Sequence, residues 1–315
     1  MIFPAPLQPG DKIGIVAPSG AIRYPDDILH GYQLLTSQGW AVVEGISPSL
    51  RYFQYAGTDE ERLMDLQFML DHPGIRAIIA VRGGYGCSRI IDRLDFTGFK
   101  RYPKWLVGFS DITLLLSHLE KLGHAAIHGP MVKHLDANPA ATESLFDLLK
   151  GRPVAYSVNP HPQNRPGKVT GGLIGGNLCL LAHGIGSASE IDTRARILFI
   201  EDVGEPLYNL DRMMWQLRRA GKLRHLAGLV AGRFTDCKGT PESFGSDAVQ
   251  IIADHVSAFS YPVAFEFPFG HVDDNRPLVV GAAARLSVSP EQVSITIPQP
   301  EHEARAITAE AERVG

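Results

Sequence analysis

Ser110 lies where an apolar, strand-like run gives way to a helical pattern. The run Trp105–Phe109 has aromatic and β-branched character, and apolar residues recur at helical spacing after Asp111. A serine on such a strand-to-helix turn has its hydroxyl lifted above the edge of a sheet, and the next backbone N–H faces any oxyanion that forms. This placement suits a nucleophile in acyl transfer. The alternative is that Ser110 only caps the helix.

A glutamate and a histidine stand at the ends of two other apolar runs. Glu201 and Asp202 close the run ILFI, and His271 follows the run AFEFPFG. Taken alone, acids at a strand end are usually solvated and a single histidine is usually structural. Together with Ser110 they supply a nucleophile, an acid and a base in the chain order Ser, Glu, His, each at a strand end or in a loop.

A glycine-rich segment follows another strand-like run. Arg82–Gly86 (RGGYG) comes directly after residues 77–81, and open α/β sheets place ligands at the carboxyl ends of their strands. Glycine tolerates a positive φ and lets the backbone approach a ligand closely. The N–H of Gly84 could therefore join that of Asp111 as an oxyanion donor. A plain turn is the alternative for this segment.

The elements that must position these groups alternate between strand-like and helical patterns from residue 12 to about 135. Such alternation predicts an α/β fold with a parallel sheet of βαβ units. Four strands are predicted in this part, at Lys12–Ala17, Ala41–Glu44, Arg76–Val81 and Lys104–Phe109. Thr58 with Glu61 three residues later has the capping-box pattern that marks a helix start.

Prolines divide the chain into two parts. We expect an N-terminal α/β domain over 1–150 that carries the serine, and a proline-rich linker over 151–168 with little regular structure. A smaller, β-rich domain over 169–300 would carry the glutamate and the histidine, and its glycine-rich segment 171–184 is predicted to be helix-like. The charged, alanine-rich residues 301–315 are predicted to form a frayed or disordered tail.

Composition excludes several classes of protein. The chain has 315 residues, of which 44% are hydrophobic and 20% charged, as in a soluble globular protein with a substantial core. A net charge of −4 gives no field for holding nucleic acid or an anionic membrane. The three cysteines are far apart and outside any C-x-x-C pattern, and the N-terminus does not resemble a signal peptide. We therefore expect a cytoplasmic protein that binds neither nucleic acid nor a membrane.

Motifs for cofactors and metals are missing. No G-x-G-x-x-G follows the first predicted strand, no G-x-x-x-x-G-K-[ST] occurs, and no H-E-x-x-H is present. His124 and His128 lie in a segment that is more like a buried strand than a ligand-bearing helix. We expect no metal and no organic cofactor.

Several motifs in the same order resemble one known family. They are RGGYG at 82–86, GFSDIT at 108–113, GGNL at 175–178, IEDVGE at 200–205, and FGH at 269–271. The set resembles the LD-carboxypeptidase family of serine peptidases, which includes muramoyltetrapeptide carboxypeptidase and the microcin C immunity peptidases. The resemblance covers about residues 9–298. The serine motif lacks the second glycine of G-x-S-x-G, so it is not the nucleophile elbow of α/β-hydrolases, but it fits this family.

The resemblance implies a fold and a set of site residues. The N-terminal part would resemble the sheet of class I glutamine amidotransferases, the C-terminal part would be a small β-rich domain, and the active site would lie between them. By motif, Ser110 matches the nucleophile, Glu201 the triad acid and His271 the base. The backbone amides of Gly84 and Asp111 match the oxyanion donors.

The resemblance also implies a reaction. Family members hydrolyse the L,D peptide bond that releases terminal D-alanine from a cytoplasmic murein tetrapeptide, through an acyl-enzyme and in the service of peptidoglycan recycling. They need no cofactor and are commonly homodimers.

Two other functions remain open at the level of sequence. An immunity-type peptidase would cleave an acyl-sulfamoyl or aminoacyl-nucleotide conjugate and would need an aromatic side chain near the cleft to stack on the base. The ordinary length of the chain and the lack of a large insertion favour the murein enzyme. A non-catalytic small-molecule binding protein would leave the ordered serine, glutamate and histidine unexplained.

Overall fold

The computed structural model describes residues 1–239 and 243–298, which form two β-sheets with helices packed against them. The strands in these ranges are β1 (Lys12–Val16), β2 (Ala41–Glu44), β3 (Ile75–Ala80), β4 (Trp105–Gly108), β5 (Ala126–His128), β6 (Val154–Val158), β7 (Gly167–Asn177), β8 (Arg196–Val203), β9 (Gly228–Thr235), β10 (Val263–Ala264), β11 (Leu278–Val280), β12 (Ala283–Val288) and β13 (Val293–Ile297). The α-helices are α1 (Leu29–Ser37), α2 (Asp59–Asp71), α3 (Thr97–Arg101), α4 (Thr113–Lys121), α5 (Pro139–Leu149), α6 (Leu178–His183), α7 (Leu207–Arg219) and α8 (Ala248–Val256).

The first sheet has the strand order β11-β5-β4-β3-β1-β2. Strands β1 to β5 are parallel, which confirms the βαβ pattern predicted from the sequence. Strand β4 is buried along its whole length, as its unbroken apolar run requires in a parallel sheet. The edge strand β11 pairs antiparallel to β5, with Leu278 opposite His128. The first sheet is therefore mixed and is completed by a strand from the far end of the chain.

The second sheet has the strand order β10-β9-β8-β7-β12-β13-β6. Strands β7 to β10 are parallel, and β12, β13 and β6 extend the sheet by antiparallel pairing. The protein is thus a mixed α/β fold with two sheets. The resemblance of the first sheet to class I glutamine amidotransferases stays a prediction.

The segment 151–168 is more regular than its prolines suggested. It contains the edge strand β6, in which Val154 and Tyr156 are buried while Ala155 and Ser157 are exposed. This alternation is the period of a half-buried strand, and the prolines lie on either side of it, where they cost no ladder hydrogen bond. The expectation of little regular structure here is wrong for β6. The division into 1–150, 151–168 and 169–300 stays a prediction, and the predicted tail at 301–315 lies outside the described residues.

The segment 171–184 is also different from its prediction. Residues up to Asn177 continue β7, and the helix α6 occupies only Leu178–His183. Parallel pairing with β8 decides this, since Gly172 to Asn177 align with residues 196–201. Gly176 has a φ of 144°, and a Cβ there would lie 2.6 Å from a methyl group of Thr113. The glycines therefore serve close packing of a strand against the N-terminal half.

The predicted start of α2 is confirmed. The N–H of Thr58 donates to Glu61 Oε2 at 2.7 Å, and the N–H of Glu61 donates to Thr58 Oγ1 at 3.3 Å, which completes the capping box. The helix presents Arg62, which is fully buried, to the carbonyls of Pro18 and Gly86. Helix α2 therefore braces the glycine-rich segment that follows β3.

Two side-chain hydrogen bonds tie the sheets together. The N–H of Asn177 donates to Thr113 Oγ1 at 3.1 Å, and the hydroxyl of Tyr156 donates to the carbonyl of Pro277 at 2.9 Å. Within residues 1–239 and 243–298, none of the helices combines the length and apolar character that a membrane crossing requires.

Candidate active site

Ser110 occupies a strained turn between β4 and α4. It begins a single 3₁₀ turn, Ser110–Ile112, with a φ of 62° that residues other than glycine rarely adopt. Such a conformation costs of order 1–3 kcal/mol and persists only where the surroundings enforce it, often at functional sites. A Cβ on Gly83 would lie 2.8 Å from Ser110 Oγ. Only glycine therefore lets the loop after β3 approach the serine this closely.

His271 and Glu201 complete a chain of hydrogen bonds from Ser110. The Nε2 atom of His271 lies 3.1 Å from Ser110 Oγ, and its Nδ1 atom lies 2.7 Å from Glu201 Oε2. The carboxylate accepts from the Nδ1–H, which leaves Nε2 free to accept from the serine hydroxyl. Glu201 is fully buried, whereas the His271 side chain keeps 21% of its surface exposed. The structure thus brings together all three predicted side chains.

An irregularity in the second sheet places the histidine. The register between β8 and β9 shifts between Ile200 and Asp202, as at a bulge. At this point the N–H of Arg233 donates to the carbonyl of Phe269 at 3.0 Å. The chain then turns through Gly270, whose φ is 110° and where a Cβ would lie 2.7 Å from Glu201 Oε2. The absence of a side chain at Gly270 lets His271 face the end of β8.

The two predicted oxyanion donors flank the close contact between Gly83 and Ser110 along the chain. Asp111 follows Ser110, and Gly84, with a φ of 123°, is exposed in the loop after β3. Among the described residues neither N–H donates to another protein group. Neither amide is therefore committed to another group, and their role as oxyanion donors stays a prediction.

The side chain of Asp111 has a role that the sequence did not suggest. It is buried, and its Oδ2 atom accepts from Ser19 Oγ at 2.5 Å and from the N–H of Cys87 at 2.8 Å. Those bonds connect the serine turn with the glycine-rich segment, and Arg62 holds that segment from its other side. Sequence reasoning missed Ser19 and Arg62, because their hydrogen bonds join segments that are distant in the sequence and leave no local pattern.

Asp202 is turned away from the histidine. Its carboxylate accepts from Asn177 Nδ2 at 2.8 Å and from the N–H of Cys179 at 2.9 Å, so it anchors the start of α6. Burial, followed by the nearby charge of Glu201, raises the pKa of Asp202 to about 7. The neighbouring acids at the end of β8 thus have separate partners.

Two further imidazoles, those of His128 and His134, lie near the site and remain neutral near pH 7. Burial lowers the pKa of His128 to about 4, and burial together with Lys133 lowers that of His134 to about 4. His134 and His271 both line a cavity of about 210 Å³ with Phe109, Pro130, Ala137, Val272, Asp273 and Asn275. This cavity gives a small molecule access to the exposed edge of His271. A larger groove of about 750 Å³ lies near Ala195 and Ala227, where β8 and β9 begin, away from the site.

The described residues offer no metal site beside these groups. In the part of the chain that the structure describes, no cluster of three or more His, Cys, Asp or Glu side chains is arranged to hold a metal ion. A hydroxyl, an imidazole and a buried carboxylate in hydrogen-bonded series are side chains that could carry out acyl transfer.

Two family models match this chain. A model of the LD-carboxypeptidase N-terminal domain matches residues 13–129, and a model of the LD-carboxypeptidase C-terminal domain matches residues 170–286. The chain belongs to the LD-carboxypeptidase family. It is therefore an S66 peptidase, as its sequence motifs predicted.

Individual relatives of this S66 peptidase include murein enzymes. The murein tetrapeptide carboxypeptidase of Pseudomonas aeruginosa is 35% identical over 294 residues, covering 89% of this chain and 94% of the relative. The crystal structure of a muramoyltetrapeptide carboxypeptidase from Oxalobacter formigenes superposes with a TM-score of 0.83 at 30% identity, covering 91% and 98% of the two chains. The microcin C7 self-immunity protein MccF superposes with a TM-score of 0.84 over 96% of this chain and all of its own, but at 22% identity, and so shares the fold.

Proposed function

We propose that this S66 peptidase is a serine carboxypeptidase that hydrolyses an L,D peptide bond and releases terminal D-alanine from murein tetrapeptide. The observation that carries the proposal is the 3.1 Å separation between Ser110 Oγ and His271 Nε2, with Glu201 behind the imidazole. Similarity to murein tetrapeptide carboxypeptidases supports the choice of substrate.

The first half of the proposed reaction forms an acyl-enzyme. His271 Nε2 takes the proton of Ser110 as Oγ attacks the scissile carbonyl carbon. The carbonyl oxygen becomes an oxyanion, which accepts hydrogen bonds from the backbone N–H groups of Gly84 and Asp111. Glu201 holds the imidazole in the required tautomer and stabilises its positive charge. The C–N bond then breaks, and the leaving D-alanine amine receives the proton from His271.

The second half releases the shortened peptide. A water molecule gives a proton to His271 Nε2 as its oxygen attacks the ester carbonyl, and the same two N–H groups hold the new oxyanion. When the ester bond breaks, the proton returns to Ser110 Oγ. No redox or electrophilic group is required for these steps. We place this activity in cytoplasmic peptidoglycan recycling, performed by a homodimer without cofactor.

A second candidate function is cleavage of an aminoacyl-nucleotide conjugate, as in an immunity peptidase. Such a site needs an exposed aromatic ring near the oxyanion loop, and Tyr85 follows Gly84 directly with 49% of its surface exposed. Its ring centroid lies 6.0 Å from that of Tyr55. The fold shared with MccF is consistent with this alternative, although the closer sequence relatives favour murein peptide.

The experiment offers purified protein a murein tetrapeptide and, separately, a peptidyl-sulfamoyl-adenosine conjugate, and follows the products by mass spectrometry. We expect loss of one D-alanine from the tetrapeptide. The Ser110→Ala protein should keep its fold, measured by circular dichroism, while its kcat falls by roughly 10⁴ to 10⁶. Cleavage of the conjugate alone would establish the second candidate, and a Ser110→Ala protein with more than about a tenth of the activity would rule out the proposed nucleophile.

A further inference from the structure

The strained conformation of Ser110 has to be held in place by contacts from outside its own turn. Its φ is 62°, and a residue other than glycine stays in this region only where its surroundings enforce it. The hydrogen bond from the N–H of Ile112 to the carbonyl of Phe109, which spans the turn, is 3.3 Å long and lies at the weak end of the usual range. The turn alone therefore does not account for the conformation of the serine.

The side chain of Asp111 joins the serine turn to two other segments. Its Oδ2 atom accepts from Ser19 Oγ at 2.5 Å and from the N–H of Cys87 at 2.8 Å. Ser19 lies in the segment after β1 and Cys87 in the segment after β3, and both residues are fully buried. Because β1, β3 and β4 are parallel, these segments leave the sheet at the same edge. One carboxylate oxygen thus connects three loops directly beside the serine.

The segments after β1 and β3 are also bonded to each other without the help of Asp111. The Nη1 atom of buried Arg62 donates to the carbonyl of Pro18 at 2.5 Å and to that of Gly86 at 3.1 Å. The N–H of Gly20 donates to the carbonyl of Gly83 at 3.2 Å. Asp111 is therefore fastened to segments that other bonds already hold together.

The segment after β3 also contacts the serine itself. A Cβ at Gly83 would lie 2.7 Å from Ser110 Cβ and 3.5 Å from the backbone nitrogen of Asp111. Ser110 thus has this loop against its side chain, while the next residue is anchored to the same loop through Cys87. Release of the Asp111 carboxylate would free the turn to relax from its strained φ and to redirect Ser110 Oγ.

We propose that Asp111 is a positioning residue, whose carboxylate holds Ser110 in the left-handed conformation that keeps its Oγ at His271 Nε2, by way of Ser19 and Cys87. The proposal deepens the proposed function and rests on it. The alternative is that these hydrogen bonds only stabilise the fold, as satisfied bonds of a buried carboxylate do elsewhere.

The main test removes the bonds one at a time and measures hydrolysis of murein tetrapeptide. In Ser19→Ala, which loses one bond, we expect kcat to fall about tenfold with KM changed by less than about threefold. In Asp111→Ala, which loses both, kcat should fall at least about a hundredfold, the cost of a misplacement of about 1 Å. Asp111→Asn should restore most of kcat, because its Oδ1 atom can accept both bonds.

Two outcomes of this series would overturn the proposal. One is a kcat within about twofold of wild type in Ser19→Ala, the variant that disturbs the fold less. The other is an Asp111→Asn protein as impaired as Asp111→Ala, because the charge of the side chain would then matter and its hold on the turn would not.

Asp65 and Ser47 provide the matched controls, because they form the same kind of link elsewhere in the first half of the chain. Asp65 is buried on α2, and its carboxylate accepts from the hydroxyl and the N–H of Ser47 and from the N–H of Ile46. None of these bonds reaches the serine turn or residues 82–87. Asp65→Ala and Ser47→Ala should lower the melting temperature and leave kcat within about twofold. Losses of kcat equal to those of Asp111→Ala and Ser19→Ala would make the role of Asp111 merely structural and overturn the proposal.

Crystal structures without substrate separate this proposal from the proposed function. Wild-type protein is compared with Ser19→Ala and Asp111→Ala. We expect Ser110 to leave the left-handed region, or its Oγ to move by about 0.5 Å or more relative to His271 Nε2, in at least one variant and whether or not the protein cleaves murein peptide. An unchanged serine turn in the variants would overturn the positioning role. Absence of activity in wild-type protein would instead count against the proposed function.

Discussion

Two adjacent acids at the end of β8 have different partners, and the difference can be measured. Glu201 binds His271 Nδ1, whereas Asp202 binds Asn177 and the N-terminus of α6. Glu201→Gln keeps the shape of the side chain but favours the wrong imidazole tautomer. We expect kcat to fall by about 10³ to 10⁴.

Asp202→Asn is the matched control for that substitution, since it makes the same chemical change at the next residue. Because its carboxylate anchors α6, the expected effect is a lower melting temperature with kcat changed by less than about threefold. The measurement is steady-state hydrolysis of murein tetrapeptide together with thermal unfolding of both variants. A crippled Asp202→Asn beside a nearly normal Glu201→Gln would show that the acid has been misassigned.

At this scale the sequence predicted the three side chains that the structure brings together, but not the residues that support them. Ser110, Glu201 and His271 each stand at the end of an apolar run, which is a local signal. The supporting side chains, Ser19 and Arg62, have no such signal, because their partners are fixed only by tertiary contacts between segments that are distant in the sequence.

The loop after β3 matters as an element because its backbone approaches the serine closely. Gly83→Ala would place a methyl group 2.7 Å from Ser110 Cβ and 2.8 Å from Oγ, so one of them must move. Displacing the reacting hydroxyl by about 1 Å can cost roughly a hundredfold in rate, and we expect kcat to fall by at least that factor. The change in kcat is measured by steady-state kinetics on murein tetrapeptide.

Gly239→Ala is the control for Gly83→Ala. A Cβ at Gly239 meets no atom of the described residues within 4 Å, and its φ is not positive. It should have wild-type kinetics and stability. If Gly83→Ala retained full activity, the close contact between this loop and Ser110 would have no catalytic importance.

Elements with strong periodicity were predictable, and those decided by packing were not. The capping box of α2 and the apolar run of β4 show their structure in a short window of sequence. The strand β7 is rich in glycine and has no side-chain pattern of its own, so its state is set by pairing with β8. Strand β6 was not predicted, because the prolines on both sides of it indicated an irregular segment.

At the scale of the whole molecule, the candidate site depends on how the two sheets meet. Ser110 follows β4 of the first sheet, and Glu201 lies in β8 of the second. His271 lies on the connection between β10 of the second sheet and β11 of the first. The return of β11 to the first sheet was not predictable, because three apolar residues at the end of a long chain carry no sign of their partner.

The meeting of the sheets must also set the stereochemistry of the reaction. A serine, histidine and glutamate do not by themselves distinguish L from D residues. Discrimination depends on where the surrounding walls hold the terminal residue relative to Ser110 Oγ and the Gly84 N–H. An L,D-specific site should therefore hold the scissile carbonyl of the wrong epimer where Ser110 Oγ cannot attack it.

The most direct test of the central claim compares kcat/KM for two murein tetrapeptides that differ only in ending with D-alanine or L-alanine. Ser110→Ala protein, prepared in the same way, serves to exclude a contaminating peptidase. We predict that the D-alanine substrate is preferred by at least about a hundredfold, since a misplacement of about 1 Å costs that much. Equal values for the two epimers, or a preference for L-alanine, would contradict the assignment of this protein as an L,D-specific murein carboxypeptidase.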